Sequence, residues 1–136
     1  MSAVQSILPT TDVVRGAPQA ILRLEGLVLL GAATFAYAQT GIGWGLYALL
    51  FLAPDIFMLG YLRNTRIGAM LYNAGHSTIG PFVLIGAGLA LASPLTLAIG
   101  LIWMAHVGFD RAVGYGLKYA DNFKHTHLGT PFAKKN

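Results

Sequence analysis

Histidine and aspartate residues in the second half of the chain are spaced so that they can act together. His106 and Asp110 are four residues apart, so both side chains project from one face of a helix. An earlier stretch has residues at positions i, i+3, i+4 and i+7, which also share one helix face: Asn73, His76, Ser77 and Gly80. Imidazole and carboxylate groups bind divalent metals and carry protons. The spacing therefore predicts a polar site built from at least two helices.

A further aspartate, Asp55, follows Pro54 inside a long apolar stretch. Pro54 has no amide hydrogen, so it leaves the carbonyl of Leu50 without its helical donor. Pro81 has the same effect on the carbonyl of Ser77. Such breaks are tolerated in membranes where neighbouring helices or a wet cavity satisfy the freed groups. Both breaks lie next to ionisable residues.

The composition indicates an integral membrane protein of a single domain. Of the 136 residues, 55% are hydrophobic and 10% are charged, whereas soluble domains carry about 25% charged residues. The chain has no cysteine, which excludes disulfides, thiolate metal sites and a catalytic thiol. No basic run is interleaved with stacking aromatic residues, so nucleic acid is not an expected partner. The net charge of +4 instead suits contact with anionic membrane lipids.

Four apolar stretches predict an all-α fold, an antiparallel four-helix transmembrane bundle. Each has about 19 to 26 residues, enough to cross a hydrocarbon core of about 30 Å. Short connections make successive helices antiparallel. The predicted helices span residues 20–38, 41–62, 67–92 and 94–117. They form a domain over residues 19–118, between a cytoplasmic N-terminal arm (1–18) and a cytoplasmic basic tail (119–136).

The basic residues predict the orientation of the bundle. All nine Lys and Arg residues fall at the termini, in the predicted loop after residue 62, or near the cytoplasmic ends of helices. The two opposite connections, around Thr40 and Ser93, carry none. The positive-inside rule then places both termini in the cytoplasm, with the chain crossing the inner (cytoplasmic) membrane several times.

This topology brings ionisable residues of all four helices to one depth. At 1.5 Å per residue, five of them lie about 7–16 Å from the cytoplasmic face: Glu25, Asp55, His76, His106 and Asp110. A charge facing lipid at mid-helix costs about 2.5–3.5 kcal/mol, so these groups should face one another inside the bundle. Asn73 and Ser77 are expected to line the same space.

Several motifs resemble those of a small bacterial membrane family catalogued as domain of unknown function 4260. They are "APDIFMLGYL", "YNAGH", "AHVGFDRAVGYGLKY" and "THLG". The resemblance extends from Leu22 to Gly129 and implies a small polytopic membrane protein, with no established activity. It draws attention to seven positions: Asp55, Asn73, His76, His106, Asp110, Arg111 and His127.

A divalent metal site is the interpretation that the residue types favour. Two imidazoles and two or three carboxylates suit zinc, iron or manganese, and helical bundles commonly build such sites from inward-facing side chains. The bound ion could serve a membrane metalloenzyme that acts on a lipid-like or anionic substrate. Four basic residues on the same side could receive the anionic group: Arg63, Arg66, Arg111 and Lys118.

Three alternatives remain open from the sequence. The cluster could relay protons or support proton-coupled transport, as Asp, Glu and His chains do in membranes. It could be purely structural, although membrane hydrogen bonds contribute only about 0.6 kcal/mol on average. Less favoured is haem with His76 and His106 as axial ligands, because three carboxylates would surround an apolar ring.

Two further expectations concern the tail and the glycines. His127 either caps the cytoplasmic mouth or is solvated, and the polar tail slightly favours solvation. Small residues predict close helix approach, within the chain or in a homodimer: Gly41, Gly43, Gly45, Gly86, Gly88 and Ala90.

Overall fold

The computed structural model describes residues 13–121 and 123–129. This part of the chain is helical and contains no strand, apart from one isolated antiparallel bridge between Lys118 and Thr126. The helices are α1 (Gly16–Gln39), α2 (Trp44–Leu50), a 3₁₀ helix (Ala53–Leu62), α3 (Thr65–His76), α4 (Ile79–Ala90) and α5 (Pro94–Val113).

Helix α5 is the central element of the fold. Helices α1 and α4 both pack along it, while α3 packs along the 3₁₀ helix. Helix α5 is buried over much of its length, and apart from His106 its buried residues are glycine, alanine and larger apolar residues. Tyr37 of α1 and Ile102 of α5 are nearly inaccessible and contribute to the core.

Two glycines allow α1 and α5 to cross at close range. A Cβ atom at Gly26 would lie 2.4 Å from Cβ of Arg111, and one at Gly108 would lie 2.6 Å from the carbonyl oxygen of Gly26. Any side chain at either position would push the helices apart. By contrast, a Cβ at Gly41, Gly43, Gly45 or Gly86 would meet nothing within 4 Å. Of the glycines expected to mediate close approach, Gly88 does so, against Leu97.

The second predicted helix, residues 41–62, is divided into α2 and the 3₁₀ helix. Pro54 lies at the start of the 3₁₀ helix, and the amide of Asp55 donates to the carbonyl of Leu52, three residues back, at 3.1 Å. The missing amide of Pro54 removes an α-helical hydrogen bond, which favours this tighter winding. Ten residues is long for a 3₁₀ helix, so the side chains that follow Pro54 are aimed differently from those of a continuous α-helix.

The third predicted helix, residues 67–92, is also two helices. Helix α3 ends at His76, Ser77 is extended with φ −82° and ψ 160°, and α4 starts at Ile79. Pro81 then lies in the first turn of α4. Amides there have no acceptor within the helix, so the proline removes no helical hydrogen bond. The break places His76 at the end of a helix, where the chain changes direction.

Helix α5 ends at Val113, four residues before the predicted end. Gly114 has a left-handed conformation with φ 99°, Gly114 N donates to Arg111 O, and Tyr115 N donates to Asp110 O. This is the hydrogen-bond pattern of a glycine C-terminal cap. The following segment, residues 115–129 apart from Asn122, folds back over the end of the bundle.

Two helical stretches could cross a membrane by length and composition: Gly16–Gln39 and the combined stretch Trp44–Leu62. Helices α3 and α4 have 12 residues each, or about 18 Å, so neither is long enough alone. The predicted all-α fold is confirmed for the described residues. The four-span arrangement stays a prediction.

Candidate metal centre

Four of the predicted residues meet at one point. Asp55 comes from the 3₁₀ helix, His76 from the end of α3, and His106 and Asp110 from α5. Their nearest ligand atoms all lie within 4.8 Å of one another. Both imidazoles are buried, Asp110 is mostly buried, and the side chain of Asp55 is 42% exposed. Asp55 therefore forms the accessible side of the group, which we call the His–Asp site.

The distances within the His–Asp site are short and nearly equal. From Nε2 of His76, Asp55 Oδ1 is 3.1 Å away and Asp110 Oδ2 is 3.4 Å away. From Nε2 of His106, the same two oxygens are at 3.3 and 3.2 Å. The two Nε2 atoms are 3.2 Å apart. Ligand atoms about 2.0 Å from a tetrahedral metal would be about 3.3 Å from each other, so these five distances match such a centre.

The backbone fixes which nitrogen of His76 faces the site. His76 Nδ1 lies 2.8 Å from the carbonyl oxygen of Tyr72, and a carbonyl only accepts, so Nδ1 carries the hydrogen. In the neutral ring, Nε2 then presents a lone pair to two carboxylate oxygens and a second imidazole. Metal-bound histidines are commonly oriented in this way by a backbone carbonyl. The ring of Tyr72 also stacks on His76, with centroids 3.8 Å apart.

His106 is held in place by packing. Among the described residues, its Nδ1 has no hydrogen-bond partner. Phe51 contacts the ring edge-on, with centroids 5.5 Å apart, and the His76 ring lies 5.1 Å away. The position of its Nε2 thus follows from the four-residue spacing to Asp110 and from the close packing of α5.

The structure does not place Glu25 with the other predicted ligands. Its side chain is exposed on α1, in a shallow groove with Val28, Thr78 and Phe82. The neighbouring Gly26 faces α5, and successive helical residues point about 100° apart. Glu25 is therefore not part of the His–Asp site.

The two residues predicted to line the site have other positions. Asn73 pairs with the backbone of Lys118, donating from Nδ2 to its carbonyl at 2.8 Å and accepting from its amide at 2.7 Å. This pairing ties α3 to the tail. Ser77 is half-buried at the break between α3 and α4, just after His76.

The four basic residues that could bind an anion are divided by the structure. Arg63 is exposed in the loop before α3, and Arg66 is exposed in the first turn of α3. Arg111 donates from Nη2 to the carbonyl of His76 at 3.1 Å, so it stabilises the backbone that holds this histidine in the His–Asp site. Lys118 is buried and lines a cavity of about 360 Å³ that Asp55, His106 and Asp110 also line.

Lys118 is a buried amine among aromatic rings. Its Nζ donates to the carbonyl of Phe123 at 2.8 Å and lies 3.4 Å from the centroid of the Phe123 ring and 4.5 Å from that of Tyr72. Burial lowers the pKa of Lys118 to about 8, although the Asp110 carboxylate opposes this shift. From the sequence, Lys118 was predicted as one of four basic residues that could receive an anionic group. Only the fold-back of the tail reveals that it faces the cavity.

His127 is folded into the protein, so the slight preference for solvation was wrong. The amide of Leu117 donates to its Nδ1 at 2.9 Å, and Nη1 of Arg111 lies 3.2 Å from its Nε2. Burial and the nearby Arg111 guanidinium both lower the pKa of His127, so the ring is neutral at neutral pH. The carbonyl of His127 accepts from the amide of Val14, and Leu128 O accepts from Gln19 Nε2. The tail thus caps this end of the bundle.

A family match covers the elements that build this site. Residues 19–130 match the family described as a domain of unknown function (DUF4260). The chain belongs to the DUF4260 family. No curated protein and no solved structure matches it. The match includes all four residues of the His–Asp site and the tail segment that holds Lys118 and His127, so this family domain contains the whole arrangement.

Proposed function

We propose that this DUF4260 protein is an integral membrane protein whose His–Asp site binds one divalent metal ion. The observation that supports the proposal most directly is the set of five distances of 3.1–3.4 Å among two imidazole nitrogens and two carboxylate oxygens. Hydrogen bonds alone account poorly for this set, because one proton on an imidazole nitrogen can serve only one short contact well. A single cation satisfies all four atoms together.

The charge and donor types agree with this proposal. Two carboxylates and two neutral imidazoles give the site a charge of about −2, which a divalent ion neutralises. Mixed nitrogen and oxygen donors suit zinc, iron and manganese. Haem is disfavoured, because Asp55 Oδ1 and Asp110 Oδ2 lie within 3.4 Å of the histidine nitrogens and occupy the space that a porphyrin would need.

The surface supports a membrane location. Large apolar side chains are exposed on α1, the 3₁₀ helix, α3 and α4, including Val28, Leu62, Met70 and Ile79. Soluble monomers rarely expose apolar patches of more than a few hundred Å². In our proposal, α1, α2 with the 3₁₀ helix, α3 with α4, and α5 form the four crossings, within a domain of residues 19–118. Both termini lie in the cytoplasm of a bacterial cell, and lipid surrounds the bundle.

The site also suits catalysis. A bound divalent ion supplies Lewis acidity, which polarises a substrate oxygen. The chain itself supplies an accessible side at Asp55, a cavity beside it, and the buried amine of Lys118 in that cavity. We therefore extend the proposal to a metalloenzyme that acts on an anionic or lipid-like substrate.

Metal analysis of site variants tests the proposal. The purified protein should contain zinc, iron or manganese by elemental analysis, or take it up on titration. Changes to residues that hydrogen-bond to metal ligands lower metal affinity about 10–100-fold. Asp55→Asn and His106→Ala alter ligands themselves, so they should lower it at least as much. The matched controls are Asp121→Asn and His125→Ala, because these residues form another Asp–His pair four residues apart, at 2.8 Å. Tyr47→Phe is a further control.

The control variants should keep the occupancy of the unaltered protein. A protein that neither purifies with metal nor binds it on titration would contradict the proposal and leave proton relay as the leading function. Equal losses in the site and control variants would also contradict it. A Soret absorption band would identify haem instead.

A further inference from the structure

The cavity beside the His–Asp site has two chemically different parts. Its ionisable lining residues are Asp55, His106, Asp110 and Lys118, which form its polar end. Its remaining walls are apolar or aromatic: Leu52, Met58, Tyr72, Phe109, Tyr115 and Phe123. A volume of about 360 Å³ lies within the range of small-molecule sites, about 300–1,000 Å³. A ligand that matches these walls has a small polar head and an apolar body.

The charge of the polar end depends on the metal. Without a cation, Asp55 and Asp110 would repel an anion. With a divalent ion, the four-residue group is neutral and the Lys118 ammonium gives the polar end a net positive charge. An ammonium has three hydrogen-bond donors, and the bond to Phe123 O uses one of them. An anionic head is then the group that this end of the cavity favours, so the inference rests on the proposed metal site.

The apolar end continues to the outer surface of the helices. Leu52 is 64% exposed and Phe109 is 40% exposed, although both line the cavity. Phe109 also borders a second groove, of about 560 Å³, which runs between α1 and α5. It is lined mainly by apolar residues, including Leu24, Leu27 and Leu30, and by the side chain of Arg23. In a membrane this surface faces hydrocarbon, so a chain can pass over Phe109 from the cavity into the groove.

We propose that the cavity binds a single-chain amphiphile with an anionic head, taken laterally from the membrane. The head lies between Lys118 and the metal-loaded His–Asp site. The hydrocarbon chain passes over Phe109 into the groove between α1 and α5. Lys118 is the residue that selects a negatively charged head over a neutral one.

Binding of dodecyl phosphate tests this proposal. Metal-loaded protein in zwitterionic nanodiscs should bind radiolabelled dodecyl phosphate saturably, above the level of empty nanodiscs. Dodecanol and inorganic phosphate should each compete at least about tenfold more weakly than unlabelled dodecyl phosphate. Dodecanol lacks the anionic head, and inorganic phosphate lacks the hydrocarbon chain. The metal content of the same samples is measured in parallel.

Three variants give the expected pattern. Lys118→Gln should weaken binding about tenfold through the lost charge-assisted hydrogen bond. Met58→Trp should weaken it by filling the cavity, while leaving the tail and metal occupancy unchanged. Met70→Trp is the matched control, because Met70 is exposed on α3 and does not line the cavity. It should bind as the unaltered protein does.

The outcomes separate this inference from the proposed function. Metal-loaded protein that binds no dodecyl phosphate overturns the inference and leaves the metal site standing. If inorganic phosphate competes as well as dodecyl phosphate does, the ligand is not a lipid and the site binds free phosphate. Unchanged binding in both Lys118→Gln and Met58→Trp places the amphiphile elsewhere. Samples without metal contradict the proposed function itself.

Discussion

Individual residues of the His–Asp site owe their roles to neighbours that the sequence does not reveal. His76 presents Nε2 to the site because Tyr72 O accepts from its Nδ1. Arg111 stabilises the end of α3 by donating to the carbonyl of His76. Depth and spacing were sufficient to group His76, His106, Asp110 and Asp55. They could not exclude Glu25, because depth along a helix says nothing of the direction in which a side chain points.

Asn73 gives a prediction at this scale. Asn73→Ala removes both hydrogen bonds to the Lys118 backbone, at a cost of about 1–3 kcal/mol for the partners left unpaired. The tail should then open more often, and trypsin should cleave after Lys118 about tenfold faster, as measured by mass spectrometry of timed samples.

Asn64→Ala is the matched control for the Asn73 variant. Asn64 caps the other end of α3 by accepting from the amide of Ile67 at 2.8 Å. Its loss should lower stability without exposing Lys118 selectively. Equal cleavage after Lys118 in the Asn73 variant and the unaltered protein would show that Asn73 does not hold the tail.

Helices position the site through their interruptions and close contacts. A break in regular helix near the ionisable residues was correctly predicted at Pro54, whereas the second break lies at Ser77 and Pro81 is accommodated in the first turn of α4. The structure adds that one break produces a 3₁₀ helix and the other divides a predicted helix into α3 and α4. The sequence could not predict which glycines lie at a helix crossing, because it does not distinguish a glycine on the outer face from one at a crossing.

The crossing of α1 and α5 predicts unequal effects at two glycines of one helix. Gly26→Ala places a Cβ 2.4 Å from Cβ of Arg111, which should lower stability by about 1–3 kcal/mol, as overpacking does. At Gly31 a Cβ meets nothing within 4 Å. Gly31→Ala should therefore be neutral or stabilising by up to about 1 kcal/mol through helix propensity.

Thermal unfolding in detergent measures both glycine variants. The midpoint should fall for Gly26→Ala and stay equal or rise for Gly31→Ala. Because Arg111 also contacts His76 O, metal affinity should fall with Gly26→Ala alone. The same midpoint for both variants would contradict the close crossing.

The basic residues are unevenly distributed along the whole molecule. The connections around Thr40 and Ser93 carry none, whereas the tail that folds back contains Lys118 and Lys124, and Lys118 lines the cavity beside the His–Asp site. This asymmetry underlies the proposed orientation, with both termini cytoplasmic. Association into a homodimer stays a prediction.

Cysteine labelling tests the orientation. The chain has no cysteine, so the labelling of a single cysteine introduced at Thr40 or Asn64 has no background from other cysteines of the protein. An impermeant maleimide added to intact cells should label Thr40→Cys and should label Asn64→Cys only after permeabilisation, because positive loops stay inside. The opposite pattern would reverse the topology.

The sequence by itself determined the helical class, the apolar character and four residues of the site. Those features depend on composition and on periodicity along one helix, which are local properties. Only the tertiary structure decided that Glu25 points away, that Asn73 holds the tail, and that Lys118 enters the cavity. Each of these depends on the rotation of one helix against another or on contacts such as Asn73 with Lys118, 45 residues apart. Packing fixes those relations, and no local pattern encodes them.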